Sequence, residues 1–401
     1  MKIIVPAIGS RGDVQPYIAL CQGLQRAGHA VTLVTNPTLV GLVQGYGVPC
    51  APVGPAVDMG LEGAKIWARS GRNWWLGFLR IMQFGMTLVE KSFPDLIRLV
   101  EGAELVVCTD IMAGAAEAEK LGVPWISATL QPGRVPDPQT KPSVWMRAFM
   151  PVINRLVMAP VNRFRRRVGA PPAQGDISGM MSKRMVLVPV SRYVSPPNPC
   201  WPESVHVTGY WMANAPAEWT PPPNLLKFIA AGEAPIAVSL GAMALSGAAT
   251  FESARIMLEA IRLAGVRAIV QGWDEALAQQ KLPDTIYHAG AMPHSWLFEQ
   301  VRAVVHHGGF GTTASAFYAG KPAVVVPHII DQLYWADVVY RRGAGPRPIT
   351  RHDLTVERLA AAICQAVSDE SLQACAAQLG EKIRSEPDGV QAAVSLIESL
   401  Q

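Results

Sequence analysis

Near the start, Lys2–Ala7 is a short apolar run that stops at a glycine-flanked turn, Gly9-Ser10-Arg11-Gly12-Asp13. Val14, Tyr17, Ile18, Cys21 and Leu24 then recur at helical spacing, and Ala27-Gly28-His29 closes that helix. Ala30–Thr35, Leu105–Thr109 and Trp125–Thr129 read as further strands, with a helix over Ala113–Leu121 ended by Gly122 and Pro124. The same alternation resumes late in the chain. Ile236–Leu240, Ala268–Gln271, Ala303–His306 and Ala323–Pro327 read as strands, with helices over Phe251–Leu263 and Gly311–Ala319. From Val356 onward the pattern is mostly helical. Strands separated by helices predict βαβ units, an α/β class and parallel sheets.

Eight prolines fall between Pro196 and Pro223, too dense for helix interiors or central strands, so this stretch reads as a linker. Two α/β halves joined by a proline-rich hinge leave a cleft between them, where a site is expected.

Composition narrows this picture. Half of the 401 residues are hydrophobic and only 16% are charged, which excludes a disordered chain. No apolar run approaches the ~18 residues needed to span a bilayer, and the first residues read as a strand rather than a secretory leader. A cytoplasmic protein is expected. The six cysteines form no C-x-x-C pair and read as reduced. The net charge of +4 is unevenly divided: residues 1–200 hold 21 Lys and Arg against 12 Asp and Glu, and the rest 14 against 19. Basic residues bunch from Arg147 to Arg184, opposed only by Asp176. They form either a solvated helix face or a contact with anionic lipid headgroups; no aromatic-studded groove accompanies them, so nucleic acid is not an expected partner.

The densest chemical signal is Ala303–Thr313, a strand running through His306-His307-Gly308-Gly309-Phe310-Gly311 into Thr312-Thr313. A helix N-terminus preceded by glycines is an anion site, because its N–H groups lack intrahelical acceptors and a phosphate can approach the backbone closely. His306 and the two threonine hydroxyls can add donors. The alternative is an ordinary tight strand-to-helix turn. The pattern is neither a Walker loop nor G-x-G-x-x-G. Further on, Asp331-Gln332 follows a strand, where a carboxylate and an amide can bind vicinal hydroxyls or simply cap a helix.

These segments carry a resemblance. Gly9–Tyr17, Val207–Trp211, Met292–Phe298, His306–Thr313 and Asp331-Gln332, in that order, resemble the inverting family 1 glycosyltransferases of the GT-B fold, most nearly the sterol 3-beta-glucosyltransferases. The resemblance implies two Rossmann-like domains with parallel sheets facing across a cleft. The domains are expected at 1–205 for the acceptor, 206–224 for the linker and 225–384 for a nucleotide-sugar, with a C-terminal helix at 385–401 able to pack back on the first. It implies direct displacement at the anomeric carbon, with Asp13 as general base. Helix capping is the other reading of Asp13. His306, Gly308, Gly309, Gly311, Thr312, Thr313 and Gly241 are expected at the donor diphosphate, Met292 and Trp273 at the base, and Asp331 with Gln332 at the sugar. No cofactor is implied beyond a nucleotide-sugar cosubstrate, UDP-glucose or a TDP-sugar. No metal is implied either, because no Asp-x-Asp motif occurs and the helix N-terminus can stabilise the leaving diphosphate.

Two departures bear on the donor. Gly241 is followed by Ala242 where relatives carry serine, and residue 314 is alanine where plant relatives place glutamate. For the acceptor, Trp74, Trp75, Phe78, Met82, Asp110 and Trp145 are candidate pocket residues, although helical spacing at Trp75, Phe78 and Met82 also fits core packing. The expected acceptor is a sterol or other lipid alcohol, with peripheral contact to an anionic membrane through Arg147–Arg184. The alternatives are a soluble aglycone such as a macrolide, peptide antibiotic or flavonoid, and a nucleotide-sugar or lipid-binding protein without transfer activity.

Overall fold

A computed structural model describes residues 1–70, 74–109, 113–136, 144–173, 180–216, 218–240, 248–278 and 280–400. The chain divides into two compact units. Unit 1 comprises Met1–Asp58, Ser70–Met212 and Pro387–Gln401; unit 2 comprises Met59–Arg69 and Ala213–Glu386.

Unit 1 holds a seven-stranded sheet of β1 (Lys2–Pro6), β2 (Ala30–Thr35), β3 (Cys50–Pro52), β4 (Leu105–Thr109), β5 (Trp125–Ala128), β6 (Val186–Val188) and β7 (Val205–Val207). Their order is β3-β2-β1-β4-β5-β6-β7, all pairs parallel. Unit 2 holds a five-stranded sheet of β8 (Ile236–Ser239), β9 (Ala268–Gln271), β10 (Ile286–Ala289), β11 (Ala303–His306) and β12 (Ala323–Val325). Its order is β10-β9-β8-β11-β12, again parallel. Continuous apolar strands such as Ile-Ala-Val in β8 are buried along their whole length, as expected of parallel strands covered on both faces.

The helices in chain order are α1 (Arg11–Arg26), α2 (Val40–Gly45), α3 (Met59–Ser70), α4 (Trp74–Val100), α5 (Ala115–Leu121), α6 (Val144–Arg167), α7 (Pro223–Ala230), α8 (Ala248–Ala264), α9 (Asp274–Ala278), α10 (His294–Leu297), α11 (Phe310–Tyr318), α12 (Ile330–Arg341), α13 (Val356–Ser368), α14 (Glu370–Arg384) and α15 (Gly389–Glu398). In unit 1 the core gathers Ile4, Val34 and Val106 of the sheet with Leu96 and Val100 of α4. In unit 2 the strands pack on α8 and α13 through Met257, Ile261, Leu359 and Ile363.

Strands β3, β6 and β10 were not expected from the sequence, and two further elements depart from its reading. The helix expected from Ala113 starts at Ala115, because Gly114 takes φ +101° as its N-cap, a conformation open to glycine. Strand β7 lies inside the proline-dense stretch read as linker. It is an edge strand paired only with β6, where nearby prolines interrupt no second ladder. The prolines end in helix α7, which opens at Pro223, where a missing N–H costs nothing.

The C-terminal helix α15 belongs to unit 1. Val390 and Val394 lie against Gly23 of α1, and a Cβ at Gly23 would overlap Val390. The Val207–Trp211 segment forms the clasp. Gly209, at φ +91°, lets its backbone meet that of Gly389, and the Trp211 indole donates to Thr208 Oγ1 and to the Gly389 carbonyl, each at 3.1 Å. Trp211 also meets Tyr17 edge to face at 5.8 Å.

Candidate active site

In unit 2 the C-terminal ends of three neighbouring strands carry polar residues in register. His306 of β11 pairs with Ser239 of β8, which pairs with Gln271 of β9. All three side chains are buried. The C-terminal edge of an open parallel sheet is where such folds bind ligands.

After β11 the backbone turns through Gly308 at φ +87°. A Cβ there would stand 2.8 Å from the Gln332 carbonyl and 2.9 Å from Val325, so only glycine lets the turn back onto the first residues of α12. At Gly309 a Cβ would run into the His307 ring. Gly309 is the N-cap of α11, and Gly311 is its second residue. The first helical N–H groups therefore have no intrahelical acceptor and lie beside the imidazoles. Thr313 is engaged within the helix, its hydroxyl donating to the Gly309 carbonyl at 2.9 Å. Thr312 is buried beside it.

The two histidines differ. His306 is 0% exposed, and its Nδ1 accepts the Gly308 N–H at 3.0 Å. Its Nε2 is buried with no hydrogen-bond partner. His307 keeps partial exposure, and its Nδ1 is likewise unpartnered. Burial, reinforced by His307 and His294, holds His306 well below the usual histidine range. Burial brings His307 down to about 4 despite a hydrogen bond to the Ser239 backbone. His328, after β12, is brought to about 3 by burial and by His307 and Arg351, and its Nε2 also lacks a partner. These imidazoles are neutral at pH 7, and each has one buried ring nitrogen without a hydrogen-bond partner.

Asp331 and Gln332 open α12. The Gln332 Oε1 accepts from the backbone N–H groups of His328 at 2.8 Å and Ile329 at 3.3 Å, so this amide caps the helix. Asp331, one residue earlier, is half-buried. The backing of Gly308 on Gln332 brings the glycine turn and the Asp-Gln pair together.

Near the expected base position Met292 is buried just before α10. Trp273 is 1% exposed in the core of unit 2, and its indole N–H donates to Ser253 Oγ at 2.9 Å. No face of that indole is open to a base in this structure. Gln271 donates to the Gly290 carbonyl at 2.9 Å, while its Oε1 is buried without a partner. Sequence reasoning passed over His307, His328 and Gln271; their signal was position, each at or just past the C-terminal end of a strand.

In unit 1, Asp13 is the third residue of α1 and exposed. Its Oδ2 accepts from the Ser10 backbone N–H and hydroxyl, both at 2.8 Å. Gly9 leaves room for that side chain, because a Cβ there would be 2.6 Å from Asp13 Cβ. Phe78 and Met82 are half-buried on α4. Gly241 and Asp110 lie outside the described residues, as do the side chains of Trp74, Trp75 and Trp145.

The Erythromycin biosynthesis protein CIII-like C-terminal domain matches residues 265–399, and the Glycosyltransferase family 28 N-terminal domain matches residues 3–109. O-mycaminosyltylonolide 6-deoxyallosyltransferase of Streptomyces fradiae is 33% identical, over 99% of this chain and 97% of its own length. The chain is a GT-B glycosyltransferase. A sterol 3-beta-glucosyltransferase of Cryptococcus neoformans var. neoformans is 32% identical over 99% of this chain, which spans 27% of that relative's length. The fold matches the Streptomyces sp. SF2575 glycosyltransferase SsfS6 complexed with thymidine diphosphate, with TM-score 0.69 and 21% identity over 100% of this chain and 99% of that one. Membership of this family implies a nucleotide-sugar donor and a small-molecule acceptor. Among the described residues no helix is long and apolar enough to cross a membrane.

Proposed function

We propose that the protein is an inverting glycosyltransferase that moves a sugar from a TDP-linked donor to a hydroxyl of an apolar natural-product aglycone. The observation that carries the donor half is the β11–α11 turn, where a glycine-lined helix N-terminus follows two histidines, His306 Nε2 and His307 Nδ1 each being buried without a hydrogen-bond partner. The donor diphosphate lies over this turn. His307 supplies the imidazole contact, and His306, wholly buried, holds the turn through Gly308. As the anomeric bond breaks, negative charge grows on the diphosphate, where the helix dipole and N–H groups stabilise it most. Asp331 binds sugar hydroxyls, with Gln332 fixing the start of its helix.

Asp13 takes the proton of the acceptor hydroxyl as its oxygen attacks the anomeric carbon from the face opposite the leaving diphosphate. Ser10 orients this carboxylate by holding Oδ2. Capping and base roles are compatible, because the two Ser10 bonds engage one oxygen only.

The near full-length likeness to O-mycaminosyltylonolide 6-deoxyallosyltransferase supports the natural-product aglycone, and the thymidine diphosphate bound by the fold neighbour SsfS6 supports the TDP-linked donor. A second reading, glucose from UDP-glucose to a sterol, is supported by the 32% identity to the fungal sterol enzyme. Transfer assays with TDP- and UDP-sugars against macrolide and sterol alcohols, read by product mass, separate the two. A sterol glucoside formed from UDP-glucose alone would replace the first reading with the second. Asp13→Asn keeps an acceptor oxygen for Ser10 and should lower turnover ~10²–10⁴-fold with little change in melting temperature. Unchanged turnover would remove Asp13 from the chemistry.

A further inference from the structure

Helix α6 of unit 1 contains no acidic residue along Val144–Arg167. Its inner face is anchored: Met158, Val161 and Phe164 are buried with Met86 and Val89 of α4, and Phe164 meets Phe93 edge to face at 5.7 Å. Two of its arginines belong to the fold. Arg165 is buried and pairs with Glu119, and Arg167 pairs with Glu90 at 3.3 Å. The outer face is different in kind. Phe149, Val152 and Leu156, spaced i, i+3 and i+7, are 58%, 56% and 59% exposed. Arg155, Arg163 and Arg166 are exposed on the same side of the helical wheel, and no carboxylate of α6 opposes them.

We infer that this outer face of α6 docks on an anionic lipid bilayer, with the helix lying in the plane of the interface. Three large apolar side chains at helical spacing lose water by entering the acyl boundary, and flanking arginines meet lipid phosphates. The core contacts of Met158, Val161 and Phe164 hold the helix with that face outward, so the surface is built before any membrane arrives. Charge selects this occupant over a second copy of the chain, because a symmetric α6–α6 contact would bring the same three cations on each copy together. The inference does not depend on which donor or acceptor the enzyme uses.

The test is vesicle flotation of the full chain with phosphatidylcholine alone and with about 30% phosphatidylglycerol. Binding is expected to the anionic vesicles only, and to weaken at high salt. Phe149→Ser/Val152→Ser/Leu156→Ser should abolish it. Arg155→Glu/Arg163→Glu/Arg166→Glu, which leaves the apolar residues intact, should lower partitioning at least ~100-fold, from roughly fivefold per cation removed and the added repulsion. Far-UV circular dichroism and thermal melts of both variants check that unit 1, which carries α6, is folded. No flotation of the wild-type chain, or equal flotation of the wild type and the arginine variant, would overturn the inference. A wild-type dimer that the serine variant converts to a monomer would also overturn it, by showing that a second copy covers the face.

Discussion

At the β11–α11 turn, single atoms decide what the chain can do. Gly308 holds φ +87° and has Gln332 O 2.8 Å from where a Cβ would stand, so its missing side chain links the glycine turn to the start of α12. Gly308→Ala should cost ~2 kcal/mol or more, from the left-handed backbone together with the clash. It should weaken nucleotide binding further, because the turn and Asp331 shift together; thermal melts with and without TDP measure both effects. A Gly308→Ala variant as stable as wild type would show that the turn relaxes freely. The glycines were legible in the sequence because a phosphate turn demands them. Which of His306 and His307 meets the diphosphate was not: adjacent residues at a strand end face different surroundings, and each has one buried ring nitrogen without a partner. Trp273 follows the same logic, since an indole beside a strand end can point to ligand or to core, and Ser253 on α8 holds it inward.

The clearest element-level dependence is that of α15 on α1. Val390, Ala393, Val394 and Ile397 are all buried, and the Trp211 indole ties the start of α15 to the Val207–Trp211 segment. Ile397→Ala should destabilise unit 1 by ~2–5 kcal/mol, as a large-to-small change in a packed core. Nucleotide affinity should not change, because the donor turn belongs to unit 2; a drop in TDP affinity matching the stability loss would contradict that independence. Helix α5 makes a pH prediction. Glu117 is 1% exposed and accepts the Gly114 N–H at 2.9 Å, and burial pushes its carboxyl up to about 7 against the pull of two backbone hydrogen bonds and Arg165. The folded state therefore holds a proton that the unfolded chain releases between about pH 4.5 and 7, and stability falls as pH rises through that window. His307 and His328, whose values are depressed, act oppositely: stability falls as pH drops below their unfolded value of 6.5 toward about 4 and 3. Glu117→Gln keeps the cap and removes only the first effect. It should gain up to ~3 kcal/mol over wild type at pH 8 relative to pH 4.5, in denaturant titrations at the two pH values; an equal difference at both would place the charge outside the folding balance. Most strands and the ends of several helices were legible from apolar runs and glycines. Edge strand β7 was not, because three residues among prolines carry no periodicity.

For the whole molecule, the uneven charge seen in the sequence resolves into distinct duties. Arg165 and Arg167 stabilise the fold through Glu119 and Glu90, Arg184 donates to the Leu400 carbonyl at 3.1 Å, and Arg155, Arg163 and Arg166 remain on the outer face of α6. The family was legible from five ordered motifs, one of which, Val207–Trp211, proves to be a clasp for α15. The acceptor was not legible, because a macrolide and a sterol ask for the same apolar surface and the sequence holds no charge that separates them. Function in this enzyme turns on a donor diphosphate held at the β11–α11 turn. Calorimetric titration of TDP into wild-type protein, His307→Ala and Asp13→Asn tests this directly. One site is expected in the wild type, at least tenfold weaker in His307→Ala and unchanged in Asp13→Asn. Failure of the wild type to bind either TDP or UDP, or equal affinity in wild type and His307→Ala, would contradict it.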